Sequence, residues 1–328
     1  MPHHDPFALR ELLGEETGLC RRAITGESGV SLPPLIDHHV HLHLIDERRL
    51  RVHGIAGVLD LGGDPVALAR RPRKGMPRVA YAGAFLTAPD GYPVGRSWAP
   101  PATIRQVQDP STHPGVPGGA ATAVDEQASF GASVIKVVLN SEAGPVLDAA
   151  TLTAIVAAAR THALPVVAHV EGPGMAHAAI DAGVDALAHT PFSELMDPSL
   201  IAAAVTIGQR WISTLDIHRA DPESSDIARE NLERFRRAGG TVLYGTDLGN
   251  GDLPTGVNAR ELAALHGAGL RGAALLSALT DPWPKAHRSR AVATFVAGDP
   301  PSDLDAVPAW LAGAVVVPSE ELIHDDHG

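Results

Sequence analysis

The feature that most constrains the fold is a regular alternation of short strand-like runs with helical segments. Eight runs rich in apolar and β-branched residues have the length of buried strands, and Ala- and Leu-rich segments with helical spacing separate them. This alternation is typical of repeated βα units with a parallel sheet. Eight such units favour an α/β chain closed into a (β/α)8 TIM barrel over an open sheet. The predicted strands are 35–41, 55–61, 79–86, 134–139, 166–170, 186–189, 211–215 and 241–245.

Four segments carry the clearest helical spacing: 149–162, 226–238, 258–266 and 270–279. Segment 226–238 has the Arg and Glu content of a solvent-facing helix, and the following Gly239-Gly240 pair is a typical stop signal. The sequence therefore predicts that helices follow the strands throughout the region 32–284.

The two ends of the chain depart from this rhythm. We assign 32–284 to the barrel, and we assign 1–31 with 285–328 to a small, reduced β-rich domain. Within that domain, 293–296 and 314–317 are expected to pair with one another and with 19–24. Segment 86–119 is rich in Pro and Gly and is too long for a simple connection, so it is predicted to be a lid over the site or an oligomer contact.

Composition excludes several kinds of partner. The chain of 328 residues has 26 Lys and Arg against 38 Asp and Glu, a net charge of −12, which argues against nucleic acid or an anionic membrane as a partner. Its single cysteine, Cys20, excludes an intrachain disulfide and a cysteine-based zinc site. No signal peptide or membrane span is visible, so we expect a cytoplasmic protein, with self-association into a homo-oligomer left open.

Six polar residues fall where five of the predicted strands end, which is where barrel enzymes place their catalytic side chains. Histidines two positions apart on the first strand share one face, because side chains alternate along a strand. Histidine and carboxylate side chains are common metal ligands, and the sequence therefore predicts a metal centre here. These residues are His39, His41, Lys136, His169, His189 and Asp247.

Lys136 is the unusual member of this set, because it lies inside an apolar run and an ammonium group repels a metal. A neutral amine that has reacted with CO₂ would instead present a carboxylate able to bridge two cations. In contrast, Asp37 and His38 are interpreted as structural hydrogen-bonding groups.

The motifs at these strand ends resemble those of the amidohydrolase superfamily. LIDHHVH resembles its Asp-x-His-x-His signature, and IKVVL, VVAHV, ALAHT and YGTD resemble its motifs on the fourth, fifth, sixth and eighth strands, in the same order. The resemblance extends over about 35–279. Within the superfamily, GASVIKVV, AGVDALAHT and ISTL are similar to the imidazolonepropionase-related and Xaa-Pro-dipeptidase-like branch.

This resemblance implies a binuclear site. The two histidines of the first strand would hold the more buried metal with Asp247, His169 and His189 would hold the other, and N-carboxylated Lys136 would bridge the two. Zinc is the expected ion, with manganese, iron or nickel as alternatives. The implied reaction is attack of a metal-bridging hydroxide on a C–N bond of a small molecule, with Asp247 as general base and then general acid.

The substrate is less constrained than the metal site. The loop APDGYPVG stands where relatives commonly have a Gly-Gly-His-Gly type of sequence, and Tyr92, Arg96, Trp98 and His218 are candidate substrate contacts. Ester, lactone or phosphotriester hydrolysis remains open on the same site. A metal-dependent lyase or cyclase and a non-catalytic scaffold are further alternatives.

Overall fold

The computed structural model describes residues 5–285 and 289–324, and it confirms an α/β chain. The parts of the predicted terminal domain at 1–4, 286–288 and 325–328 lie outside the described residues. The strands are β1 Gly18–Arg22, β2 Ser28–Leu32, β3 Leu35–Val40, β4 Ile55–Asp60, β5 Arg78–Tyr81, β6 Phe85–Thr87, β7 Ile104–Gln106, β8 Ile135–Asn140, β9 Val166–Glu171, β10 Ala186–Leu187, β11 Arg210–Ile212, β12 Thr241–Leu243, β13 Val292–Ala297, β14 Val315–Pro318 and β15 Leu322–His324.

Aspartate followed by proline begins several of the helices. The side chains of Asp64, Asp197 and Asp221 each accept a hydrogen bond from a backbone N–H of the first turn, and the proline that follows needs no N–H partner. The helices are α1 Pro6–Leu13, α2 Arg48–Val52, α3 Pro65–Arg70, α4 Ala120–Ser129, α5 Ala149–Thr161, α6 Met175–Asp181, α7 Pro198–Thr206, α8 Pro222–Arg237, α9 Ala259–Gly267, α10 Gly272–Thr280 and α11 Val307–Leu311. Within 5–285 and 289–324, every helix is too short or too polar to traverse a bilayer.

Two parallel sheets contain the predicted barrel strands. One has the order β3-β4-β5 and the other the order β12-β11-β10-β9-β8-β6-β7. The prediction of one strand at 79–86 is wrong, because β5 pairs with β4 whereas β6 pairs with β8. Gly83 separates the two strands at a φ of +79°, and a Cβ there would lie 2.3 Å from the Gln127 side-chain oxygen. This left-handed glycine lets the chain pass from one sheet to the other.

Backbone hydrogen bonds connect both edge strands of the three-stranded sheet, β3 and β5, to segments of the seven-stranded sheet. On one side the His38 N–H donates to the Tyr244 carbonyl over 3.0 Å, and on the other the Ser133 N–H donates to the Tyr81 carbonyl over 2.7 Å. The strands pair into two separate parallel sheets, so the closure of these sheets into a single barrel remains a prediction. In both sheets the strands run parallel, and a parallel bridge joins Val40 of β3 to Leu248 after β12, so the carboxyl ends of the two sheets share one side of the molecule.

The chain ends form a five-stranded antiparallel sheet with the order β14-β13-β2-β1-β15. The predicted pairing of 293–296 with 314–317 is confirmed as β13 with β14. The expected direct pairing with 19–24 is wrong, because β2 lies between β13 and β1. Runs 28–32 and 322–324 are short and partly polar, and the strand pattern did not reveal them.

Candidate active site

A cavity of about 520 Å³ contains all six residues that the sequence predicts as metal ligands. They reach it from β3, β8 and β9 and from the segments that follow β3, β10 and β12. The parallel strands bring these residues together because their carboxyl ends meet on one side. The residues that line the cavity are His39, His41, Leu44, Phe85, Tyr92, Trp98, Lys136, Val138, His169, Glu171, His189, Phe192, Ile217, His218, Asp247, Gly249, Asn250 and Gly251.

His39, His41 and Asp247 form the tightest group of potential ligands. The Asp247 Oδ1 lies 3.1 Å from His39 Nε2 and 3.2 Å from His41 Nε2, and all three residues are buried. The backbone of Asp247 has a φ of +58°, which is uncommon for a residue with a side chain. Such a backbone is retained only where the surrounding structure stabilises it, and here it aims the carboxylate at the two imidazoles.

The hydrogen bonds of these three residues leave lone pairs that could coordinate a cation. His39 Nδ1 donates to the Ala188 carbonyl over 2.8 Å and His41 Nδ1 donates to the Gly62 carbonyl over 3.2 Å, since a carbonyl oxygen only accepts. In the neutral rings both Nε2 atoms therefore carry lone pairs, and both face a carboxylate oxygen. Asp247 Oδ1 is buried and has no hydrogen-bond partner among the residues that the structure describes. A divalent cation would be coordinated by all three atoms.

Charges in the group agree with this arrangement. Burial lowers the pKa of His39 well below its ordinary value. Burial also lowers the pKa of His41, but the Asp247 carboxylate more than offsets this effect and the pKa is raised. A proton on His41 would satisfy one of the two contacts to Asp247, whereas a metal ion satisfies both. Burial raises the pKa of Asp247, but His39 and His41 hold it well below its usual range, and the carboxylate is ionised.

Lys136 is almost fully buried, with 2 % of its surface exposed, and it lines the same cavity. Burial lowers the pKa of this amine from 10.5 to about 7 and the Asp247 carboxylate opposes the shift. Near neutral pH the amine is therefore uncharged in a large fraction of the molecules. A neutral amine has the free lone pair that reaction with CO₂ requires, and the structure thus supplies the condition for carboxylation.

His169 and His189 face the first group across the cavity. The ring centroid of His189 lies 4.7 Å from that of His39 and 5.0 Å from that of His169. His189 Nδ1 lies 2.9 Å from the Thr214 hydroxyl, while His169 Nε2 lies 3.1 Å from Glu171 Oε2. Burial lowers the pKa of both imidazoles, so they are neutral and available as ligands.

Three of the four candidate substrate contacts line the cavity: Tyr92, Trp98 and His218. Tyr92 and Trp98 belong to segment 86–119, and the Tyr92 ring stacks 5.6 Å from His169. The fourth candidate, Arg96, is exposed outside the lining, with its guanidinium carbon 5.5 Å from the centre of the Tyr92 ring. Burial lowers the pKa of His218 to about 4, so this side chain is a neutral hydrogen-bonding group.

Sequence reasoning missed two residues that line the cavity, Glu171 and Asn250, and one that contacts the lining, Asn140. Glu171 lies two positions after His169 on β9, and strand alternation could have placed both on one face. Asn140 donates to Glu171 Oε2 over 2.7 Å, and Asn250 donates to Asp247 Oδ2 over 2.8 Å. Asn250 follows the YGTD motif in a loop, and no periodic pattern predicts where a loop side chain points.

Asp37 and His38 have the structural roles that the sequence predicts. Asp37 accepts hydrogen bonds from the His39 N–H at 3.0 Å and from the Thr246 N–H at 3.1 Å, and thereby ties β3 to the segment that carries Asp247. The His38 ring nitrogens face the carbonyls of Tyr244 and Asp281 at 2.8 and 2.9 Å. Neither residue is among the described residues that line the cavity.

The fold is similar to that of several solved hydrolases. A Xaa-Pro dipeptidase with bound methionine in its active site superposes with a TM-score of 0.68 at 18% identity, covering 90% of this chain and 86% of that one. An amidohydrolase gives 0.68 at 20% identity, covering 91% and 87%. The ochratoxinase of A. niger gives 0.68 at 20% identity, covering 89% and 83%. At the level of the fold, these structures confirm the predicted resemblance to amidohydrolases. No protein-family model and no curated protein sequence matches the chain.

Proposed function

We propose that this protein is a metal-dependent hydrolase that cleaves a C–N bond, of an amide, peptide-like or cyclic amide type, in a small molecule. The observation that carries the proposal is the convergence of two imidazole lone pairs on a buried carboxylate oxygen that accepts no hydrogen bond from any described residue. The shared fold with a Xaa-Pro dipeptidase, an amidohydrolase and an ochratoxinase supports the same chemistry. We further infer that the two parallel sheets form one (β/α)8 barrel, and the hydrogen bonds between their edges support this closure.

The donor set suits two divalent ions, with zinc as the first expectation. His39, His41 and Asp247 would hold one ion, His169 and His189 the other, and carboxylated Lys136 would bridge the two. When bound, such ions lower the pKa of a water molecule and polarise a carbonyl oxygen of the substrate. His39 and His41 are oriented for this role because a backbone carbonyl accepts from each Nδ1 and directs Nε2 into the cavity.

Asp247 is placed to move the proton of the reaction. Its carboxylate is ionised in the resting site and accepts a proton from the attacking water. It then delivers that proton to the departing nitrogen, which would otherwise leave as an unstable anion. Asn250 donates to Oδ2 and keeps this oxygen from rotating away. Oδ1 remains directed at the two histidines of the first strand.

Aromatic side chains suit a small and partly apolar substrate. Phe85, Tyr92, Trp98 and Phe192 line a cavity of about 520 Å³, a volume typical of small-molecule sites. These rings displace water from around the scissile bond, which strengthens the electrostatic interactions inside. Neutral His218 offers a hydrogen bond to a polar substrate group, and exposed Arg96 offers a cation for a carboxylate at the cavity mouth.

Metal analysis of purified protein, grown with zinc or manganese and prepared without chelator, tests the proposal directly. We expect about two metal equivalents per chain in the wild type, and a sharp fall in Lys136→Ala. Lys74→Ala is the matched control, because Lys74 is exposed and does not line the cavity. One equivalent that is unchanged in Lys136→Ala would refute the bridged site, and absence of bound metal would refute metal-dependent hydrolysis.

Solvent isotope incorporation tests the reaction class. A screen of amides, dipeptides, cyclic amides and esters in ¹⁸O-labelled water should give products that carry one solvent oxygen in the new carboxyl group. A product formed without solvent oxygen would instead identify a lyase or a cyclase. Hydrolysis of esters or phosphotriesters with no turnover of any amide would contradict the assignment to C–N bonds.

A further inference from the structure

One charged side chain of the candidate active site has no part in the proposed metal centre or in proton transfer. Glu171 is the last residue of β9, two positions after His169, and it lines the same cavity. The lysine, arginine, aspartate and glutamate residues of the described lining are Lys136, Glu171 and Asp247. Since Lys136 and Asp247 already have proposed roles, the charge of Glu171 requires a separate explanation.

Glu171 is held in place through one of its two carboxylate oxygens. Its Oε2 accepts a hydrogen bond from the Asn140 side chain over 2.7 Å and lies 3.1 Å from His169 Nε2. The Asn140 side chain is itself fixed, because its Oδ1 accepts from the N–H groups of Glu142 and Ala143, each at 3.0 Å. Glu171 Oε1 accepts no hydrogen bond from the described residues, and 32 % of the side chain is exposed. This oxygen is therefore accessible to a ligand.

The Glu171 carboxylate keeps its negative charge. The hydrogen bond with His169 holds the pKa of Glu171 below its usual range, and burial opposes this effect. His169 and His218 are both near Glu171, but burial lowers the pKa of each imidazole, and both are neutral at pH 7. Arg96 is the remaining positive neighbour. It is exposed outside the cavity lining, and its guanidinium carbon lies 5.5 Å from the centre of the Tyr92 ring.

His218 provides a second atom that lacks a partner. It lines the cavity after β11, and its Nε2 is buried with no hydrogen-bond partner in the part of the chain that the structure describes. Burial lowers the pKa of His218 to about 4, and the carboxylates of Asp221 and Glu171 oppose the shift, so Glu171 is close enough to interact. A neutral imidazole has one nitrogen with a free lone pair. Glu171 and His218 can therefore both accept from an N–H donor.

Phe192 adds an aromatic surface beside these acceptors. Its ring also lines the cavity, and the ring centroid lies 4.2 Å from that of His218 and 6.4 Å from that of His189. A cation is attracted to the face of an aromatic ring, particularly where water is excluded. A carboxylate in the same place would instead be repelled by Glu171. We call Glu171, His218 and Phe192 the cation subsite.

We propose that the cation subsite selects substrates that carry a protonated amine or a guanidinium group beside the scissile C–N bond. The cationic group donates to Glu171 Oε1 and to His218, and it packs against Phe192. The assignment to a substrate rests on the proposed hydrolytic function. Binding of a cation to the subsite needs neither metal nor turnover, so it can be tested separately.

Isothermal titration calorimetry at pH 7 and low ionic strength compares benzylammonium with benzyl alcohol, which has the same ring and no charge. Glu171→Gln removes the charge but keeps an oxygen that accepts from Asn140 and His169. Glu320→Gln is the matched control, because Glu320 is exposed and lies outside the lining. We expect benzylammonium to bind the wild type and the control equally, and at least about tenfold more weakly to Glu171→Gln. Benzyl alcohol should bind all three proteins alike.

His218→Phe is a second variant that leaves the contacts of Glu171 with Asn140 and His169 in place. It keeps an aromatic ring against Phe192 but removes the acceptor, and we expect benzylammonium to bind about threefold more weakly or worse. Equal affinity of benzylammonium for the wild type and Glu171→Gln would overturn the cation subsite. Absence of benzylammonium binding, or a parallel loss of both probes in Glu171→Gln, would overturn it as well. Melting temperatures establish that the variants are folded.

The titrations are made on zinc-supplemented and on chelator-treated protein, and the effect of Glu171→Gln should appear in both. Failure to bind zinc would refute the metal-dependent hydrolase and leave this test of the subsite intact. Glycine anilide and acetanilide, which differ in the ammonium group, extend the test to turnover. The wild type should have the higher kcat/KM for glycine anilide, and Glu171→Gln should lose at least about tenfold of this preference. A wild-type preference for acetanilide would overturn the substrate assignment, whereas absence of turnover of every amide would refute the hydrolytic function alone.

Discussion

Replacement of Lys136 by methionine should have opposite effects on metal binding and on the stability of the apoprotein. The lysine amine is buried, and its pKa falls from 10.5 to about 7. Methionine has a similar length and no charge, so it can occupy the same space among apolar neighbours without a desolvation cost. The substitution removes the proposed bridging group, and we expect the second metal equivalent to be lost with it.

The size of the stability change follows from the shift in pKa. Between pH 7 and pH 10.5 the unfolded chain keeps the lysine proton and the folded chain does not, so the free energy of unfolding rises with pH across this window. At pH 7 the buried lysine therefore destabilises the wild-type apoprotein by about 4 kcal/mol, and at pH 9.5 by about 1 kcal/mol. Lys136→Met removes this cost at every pH.

Urea unfolding of chelator-treated protein at pH 7 and pH 9.5 measures the effect. We expect Lys136→Met to be more stable than the wild type by about 3–4 kcal/mol at pH 7, with a difference that shrinks to about 1 kcal/mol at pH 9.5. Lys74→Met is the control for the change in charge, because Lys74 is exposed, and it should match the wild type at both pH values. A variant that is less stable than the wild type, or a difference that does not depend on pH, would refute this account of Lys136.

Three further predictions concern other buried polar groups. Asp247→Asn should reduce kcat by about 100- to 10,000-fold at restored metal loading, because the proton carrier is lost; near-normal turnover would contradict its role. Burial raises the pKa of Glu261 from 4.5 to about 7, so the folded chain retains this proton to higher pH than the unfolded chain does. Glu261 should therefore contribute a fall of about 3 kcal/mol in the free energy of unfolding between pH 4.5 and pH 7, and urea unfolding should show this contribution as the difference in pH dependence between the wild type and Glu261→Gln. Buried Asn231 accepts from the Met196 N–H and donates to the carbonyls of Pro191 and Glu194, each at 2.9 Å. Asn231→Leu should lower the free energy of unfolding by about 3–5 kcal/mol, and a change below about 1 kcal/mol would show that water replaces these bonds.

The metal-ligand candidates could be predicted from sequence because strand alternation and strand ends are local properties. His39 and His41 share a face through the period of two, and the parallel strands bring His169 and His189 to the same cavity. The predicted strand 79–86 illustrates what a local sequence pattern does not show. Its apolar residues continue across Gly83, and the break there depends on the left-handed backbone of this glycine and on the close approach of Gln127 from α4, which a local pattern does not reveal.

Residues on irregular segments were harder to predict. Asn250 reaches Asp247 from a loop whose course depends on packing rather than on periodicity. Arg96 was predicted as a substrate contact from its position in the loop after the third strand, but it lies outside the cavity lining and contacts the Tyr92 ring. The sequence position of a loop residue predicts that it lies near the site, but it does not predict where its side chain points.

The antiparallel sheet cannot be completed until the last strands of the chain have been synthesised. On the ribosome, β1 and β2 emerge early, but β2 must wait for β13, and β1 must wait for β15, with Cys20 opposite His324 in the finished sheet. Leu35 donates its N–H to the Thr294 hydroxyl across 259 positions, so β3 is also anchored late. Until then the β1–β2 hairpin has two open edges that can pair with other nascent chains. The growing polypeptide is thus most exposed to aggregation after the strands of both parallel sheets have been made and before β13 leaves the exit tunnel.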